Sequence, residues 1–337
     1  MLNRNNGCRF MEFEWKGYKC IYLENEIIRV EILVDKGTDI VEFLYKEKDI
    51  DFMWRSPIPV YHQSKLIQTA PTKLGSFIDY YPGGWQEIFP NGGGICEYKG
   101  AILGLHGEVA LLPWDYKIIE DTKDRVSIKF SVYTYRTPFY LEKIITIKSG
   151  IPYIEIYEEV FNLAGEEVDF IWGHHPAFGK PFLSENCIIN IKGGKVKVVP
   201  GDGKSYTNLK QTEGNWPFVE GIDGKQVDIS KVPSEEDNVS DVIFISDLEE
   251  GYYEIINESL KTGFFMEFPK EVFKYLWFWR IAKGSYNYPW WGRNYNIALE
   301  PFSSLPNLAE AIKRNDQLKL KENCSLKVSL KAGVKKI

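Results

Sequence analysis

The chain has little that would tie it to nucleic acid, to a membrane or to an oxidising compartment. Its 41 lysines and arginines are outnumbered by 47 aspartates and glutamates, for a formal net charge of −6. Proteins that grip a phosphate backbone carry a basic footprint, so nucleic acid is not an expected partner. The five cysteines, Cys8, Cys20, Cys96, Cys187 and Cys324, are scattered and odd in number, with no C-x-x-C pair. That pattern argues against a disulfide framework and a structural zinc site, and reduced thiols in the cytoplasm are the expectation. The first twenty residues hold no apolar run of signal-peptide length. No later stretch approaches the roughly 18 apolar residues of a membrane-spanning helix.

Several familiar motifs are also missing. Asp202-Gly203-Lys204-Ser205 resembles the end of a phosphate-binding loop, but Val198 stands where the leading glycine belongs, and a turn is the better reading. Gly92-Gly93-Gly94 lacks the glycine spacing of a dinucleotide fingerprint. His174-His175 is not a zinc-protease pair, because adjacent residues on a strand point to opposite faces. There is no G-x-S-x-G elbow. No metal and no cofactor is therefore expected.

Helical periodicity is scarce, and Leu308–Asn315 is the one short helix expected. What fills the chain is a succession of short alternating runs rich in Val, Ile, Tyr and Phe. Examples are Ile27–Val34, Val126–Tyr135, Lys143–Ile147, Tyr153–Phe161, Cys187–Ile191, Lys195–Val199, Tyr252–Ile256 and Ser325–Leu330. Alternation at period two is the strand signature. Between the runs, GTD, KSG, LAGEE, KGG, GDGK, LEEG and KTG read as turns. Pro200–Asp241 is polar and reads as long loops. The class implied is all-β, a large antiparallel β-sandwich forming one domain over residues 1–337.

The chemistry-bearing residues concentrate in three segments. The four histidines are His62, His106, His174 and His175. His106 lies in Gly104-Leu105-His106-Gly107-Glu108, where glycines permit close backbone approach. His174 and His175 open a site loop after the apolar stretch Val168–Ile171. In Asn296-Ile297-Ala298-Leu299-Glu300-Pro301, Ala298 and Glu300 share one face of a strand. The proline is expected to end the ladder there. A carboxylate and a histidine can work as base and acid near neutral pH without a metal. Opening a cyclic hemiacetal needs that combination: a base at the anomeric hydroxyl and an acid at the ring oxygen.

The three segments resemble those of the galactose mutarotase (aldose 1-epimerase) superfamily. Leu105-His106-Gly107, His174-His175-Pro176-Ala177-Phe178 and Leu299-Glu300-Pro301 stand in the family's order, and Glu24–Tyr45 is similar to its first hairpin. The resemblance implies a supersandwich fold and an isomerase of aldoses acting on a monosaccharide, as a monomer or homodimer. It implies Glu300 as base at the anomeric hydroxyl, His175 as acid at the ring oxygen, and His106 as a ligand of the sugar near that oxygen. It also places Asp241 near a family aspartate that grips sugar hydroxyls. The family's substrate-binding arginine has no counterpart, which leaves a hexose 6-phosphate epimerase as an alternative, or a binding protein of the same fold.

Aromatic residues make up 15% of the chain. Flat rings pack on the apolar faces of sugars, and neighbouring polar groups take the hydroxyls. On this ground Trp85, Gln86, His174, Trp279 and Arg280 join Asp241 as candidate substrate-binding residues.

Overall fold

The computed structural model describes residues 6–65, 76–199 and 206–337. The Asp202–Ser205 turn lies outside the described residues. The described residues are dominated by an antiparallel, twenty-stranded sheet folded on itself into two facing layers, with two separate two-stranded sheets beside it. The expected hairpin forms, with Ile28–Leu33 pairing Asp39–Tyr45. The expected helix runs Leu308–Arg314, capped by the Asn307 side chain and closed by Asn315 in the left-handed conformation.

One layer runs, strand beside strand, through Asp39–Tyr45, Trp85–Ile88, Gly173–Phe178, Tyr295–Phe302 and Tyr275–Ala282. The other runs through Thr262–Glu267, Ser325–Lys336, Tyr153–Asn162, Phe139–Lys148 and Arg125–Tyr133. The strand Val239–Asn257 joins the layers. Its first half pairs Tyr275–Ala282 and its second half pairs Thr262–Glu267. A continuous apolar core fills the interior, with Phe43, Phe52, Phe130, Phe178 and Trp172 fully buried.

Two of the expected turns are bends inside long strands. Lys192-Gly193-Gly194 falls within Cys187–Val198, which shifts register between Ile191 and Gly193. Leu248-Glu249-Glu250-Gly251 falls within Val239–Asn257. There a β-carbon at Gly251 would stand 1.8 Å from the Phe268 carbonyl oxygen. These glycines mark close backbone approach and bulging rather than chain reversal. The segment expected to be long loops carries three short strands, Glu213–Asn215, Phe218–Glu220 and Gln226–Asp228. Its last residues, Val239–Asp241, already belong to the joining strand.

Candidate functional site

Gly173–Phe178 is a strand and not a loop, so its two histidines are sorted by face. It pairs Tyr295–Phe302 on one side, with Gly173 opposite Phe302 and Ala177 opposite Ala298. That register sets His175 beside Glu300. His175 Nε2 stands 3.5 Å from Glu300 Oε1, and both side chains are almost fully buried. Pro301 does not end the ladder; it remains paired with Leu276, and the strand continues to Phe302. Proline lacks only the N–H, and its carbonyl is unaffected.

His106 reaches the same spot from its loop. Its backbone is left-handed, at φ 60°, and its N–H donates to the Gly92 carbonyl at 2.6 Å. The next residue, Gly107, also has positive φ, and a β-carbon there would collide with the Phe89 carbonyl oxygen. The loop is thereby pressed onto the Phe89-Pro90 chain, and the His106 ring lies 5.1 Å from that of His175.

Aromatic side chains wall this triad. Phe77 lies 4.6 Å from His106, Tyr81 5.5 Å from His175 and Trp279 5.8 Å from His175, ring to ring. The Tyr81 hydroxyl meets His175 Nδ1 at 3.3 Å. Trp54 and Trp290 extend the wall beyond Trp279 and Tyr81. The Tyr288 hydroxyl donates to Asp79 at 2.6 Å, tying the turn before Trp290 to the turn before Tyr81. Trp277, opposite Glu300, stacks on Phe302 at 4.0 Å. The sequence marked Trp279; Phe77 and Tyr81 carry no signal of their own beyond being aromatic.

Burial sets the charge of the site. Removal from water holds the Glu300 carboxyl well above the usual carboxylate range. It depresses His175 to about 4, and His106 well below its ordinary value, the latter assisted by His175. Both effects disfavour the charged form in a low-dielectric site. Burial thus favours the neutral form of both members of the pair.

The structure does not bring four of the candidate substrate-binding residues here. His174 points between the two layers. Its Nδ1 accepts from the Trp85 indole at 3.3 Å, and its Nε2 meets Glu158 at 3.1 Å. An indole N–H can only donate, so Nε2 carries the His174 proton. Trp85 is consumed in the same contact. Glu87 stands opposite His174 in the sheet, accepts from Lys143 at 2.7 Å and from the Trp172 indole at 3.1 Å. Arg280 is cross-strand to Asp241, donates to it at 2.8 Å and to Asn208 at 2.8 Å. Asp241 also accepts from Thr207. Adjacent residues alternate faces, so Arg280 turns away from the face that carries Trp279. Gln86 does share the face of His175, directly across the strand pair. Its amide donates to the Gly83 carbonyl at 2.7 Å and to Asp39 at 3.0 Å, and Asp39 is ion-paired with Lys36.

Among the described residues, no three His, Cys, Asp or Glu side chains gather closely enough to hold a metal ion. The arrangement offers one donor and one acceptor of a proton in contact, a second neutral histidine, and flat apolar walls.

Solved structures share this fold at low sequence identity. A provisionally named aldose 1-epimerase from Klebsiella pneumoniae superposes with a TM-score of 0.73 at 14% identity, over 97% of this chain and 87% of that one. A galactose mutarotase-like protein from Clostridium acetobutylicum gives 0.65 at 17% identity, over 99% of this chain and 100% of that one. A galactose mutarotase related enzyme from Lactobacillus acidophilus gives 0.62 at 16% identity, over 96% and 97%. No functionally curated protein matches the sequence. The match that covers nearly the whole sequence is to a family model described as a domain of unknown function, DUF4432, over residues 15–334. The chain thus has the galactose mutarotase-like fold and belongs to the DUF4432 family.

Proposed function

We propose that the protein is an aldose 1-epimerase, exchanging the α and β anomers of a monosaccharide. The observation that carries the reading is the buried contact of 3.5 Å between Glu300 and His175, with His106 beside it. Anomer exchange removes a proton from the C1 hydroxyl and delivers one to the ring oxygen. The ring opens, the C1–C2 bond rotates, and closure reverses the two transfers. No net proton is consumed, so a pair that shares one proton suffices.

The resting protonation fits a substrate-triggered step. Sugar hydroxyls entering the site replace the lost hydration of the carboxylate, which stabilises its ionised form. The Glu300 proton then passes to His175. Glu300 acts as base on the anomeric hydroxyl, and the His175 imidazolium as acid toward the ring oxygen. His106 stays neutral and offers a ring nitrogen to the same oxygen. The hexose-phosphate alternative has less support, since Arg280 is already bound to Asp241 and Asn208. Among the described residues, the side chains in contact with His175 are Phe77, Tyr81, His106, Trp279 and Glu300, none of them a lysine or arginine.

The test is the rate at which fresh anomers of several aldoses interconvert, followed by polarimetry. Glu300→Gln should abolish catalysed exchange, and His175→Asn should slow it by about 10²–10⁴-fold, the usual cost of a lost acid or base. Equal rates in Glu300→Gln and parent would overturn the assignment.

A further inference from the structure

Among the described residues, ten buried side-chain polar atoms have no hydrogen-bond partner within the protein. Five of them, on Gln86, Trp277, Asn294, Asn296 and Glu300, belong to one face of the layer, and a sixth, on His106, reaches it from its loop beside His175. Gln86 is across from His175, Trp277 is across from Glu300, and Asn296 follows the Ala298–Glu300 alternation. Asn294 is tied to Asn296, its amide donating at 3.5 Å. Buried polar groups are satisfied in nearly all native structures, and each exception calls for a reason. Six such exceptions lie on or against one face, around the proposed acid–base pair.

We infer that Asn296, with Asn294 beside it and Gln86 at the opposite edge, is the hydroxyl-recognition set of this site, and that its ligand is an uncharged saccharide. The inference rests on the epimerase reading for the position of the reacting carbon. Asn296 lies four residues from Glu300 on the same strand face, about 13 Å along an extended chain. It is fully buried, as are Asn294 and Gln86. Its unpartnered atom is the Nδ2 donor, while the unpartnered atoms of Asn294 and Gln86 are carbonyl oxygens. A hydroxyl is both donor and acceptor, so adjacent hydroxyls can satisfy an amide donor and an amide acceptor together. Ala298, between Asn296 and Glu300, leaves the floor low. Trp279, directly across from Ala298, supplies the flat wall for the sugar's C–H face.

The experiment is calorimetric titration with 1-deoxy pyranoses, which bind like sugars but cannot open, and with analogues lacking one further hydroxyl. The parent should bind one analogue about 10–100-fold more weakly than the full sugar, because a buried donor is then left unmade. Asn296→Leu should bind that sugar and that analogue equally. In the parent, the Asn296 side-chain amide resonance should shift on saturation with the sugar, a readout that needs no variant. Sugar 6-phosphates should bind no more tightly than the free sugars. Undiminished discrimination in Asn296→Leu, an unmoved amide resonance, or no saccharide binding at all would overturn the inference. Selective binding without anomer exchange would overturn only the epimerase reading. Exchange with unchanged selectivity in Asn296→Leu would overturn only the role of the amides.

Discussion

Two neighbouring histidines divide two tasks. His175 meets Glu300 and Tyr81; His174, one residue earlier, is locked between Trp85 and Glu158. The cluster around His174 holds Glu87, Glu158 and Lys143 in the space between the layers. Desolvation, then repulsion by Glu158, raises the Glu87 carboxyl. Desolvation works in the same direction on Glu158, but His174 and Lys143 outweigh it and hold that carboxyl below its ordinary value. Glu87 stands 2.7 Å from Lys143, and Glu158 stands 3.1 Å from His174. Glu158→Gln should take the carboxylate away from His174 and destabilise the protein by about 1–3 kcal/mol, the usual cost of breaking a buried hydrogen bond to a charged group. Chemical denaturation of the variant checks this. An unchanged midpoint would show that the cluster carries no stabilising charge. The sequence brought Glu300, His175 and His106 into view because each sits in a segment with a family pattern. It did not separate His174 from the site in practice, although strand alternation already implied it. Nor did it point to Asn296, which opens the Glu300 segment and shares its alternation but lies outside Leu299-Glu300-Pro301.

At the scale of elements, the site is a product of register. Four strands bring Gln86, His175, Glu300 and Trp277 into one row only because each pairing is in phase. Gly173 maintains the closest of these approaches. A β-carbon there would stand 2.5 Å from the Phe302 ring, which stacks on Trp277 next to Glu300. Gly173→Ala should push that ring aside, destabilise the fold by about 1–3 kcal/mol as overpacking does, and cut anomer exchange by displacing Glu300. Thermal melting and the exchange rate should fall together; a full exchange rate in this variant would show that the Phe302 stack does not position the carboxyl. Strand existence was legible from period-two alternation, and the glycine bends were not. KGG and LEEG carry turn composition, yet long-range pairing on both sides keeps the chain extended through them. Tertiary context overrode a local signal.

For the whole molecule, the all-β class was legible because nearly every apolar run is short and alternating. The two-layer arrangement, joined through the strand Val239–Asn257, was not, since pairing between distant strands leaves no local trace. The buried catalytic pair also affects the stability of the whole. A native His175 near 4, against 6.5 when unfolded, means the unfolded chain takes up its proton first as pH falls. Its contribution is present above about 6.5 and is lost on acidification toward 4, about 3 kcal/mol at most. Glu300 works in the opposite sense. Its raised native value keeps a proton that the unfolded chain releases above the ordinary carboxylate range. That stabilisation is present at low pH and is lost as pH rises. His175→Asn should therefore flatten the acid limb of a stability–pH profile measured by urea unfolding. Glu300→Gln should be more stable than the parent at neutral pH. A parallel shift of both profiles, with no change of shape, would contradict the assigned protonation states.

The central claim is that Glu300 and His175 together move one proton on and off a sugar. Exchange-transfer NMR between the α and β anomer signals of an aldose, at equilibrium and without any coupled enzyme, reads that step alone. The account predicts magnetisation transfer in the presence of the parent protein, and none above the uncatalysed level with Glu300→Gln, which should remain folded. Transfer at the parent rate in that variant would contradict it.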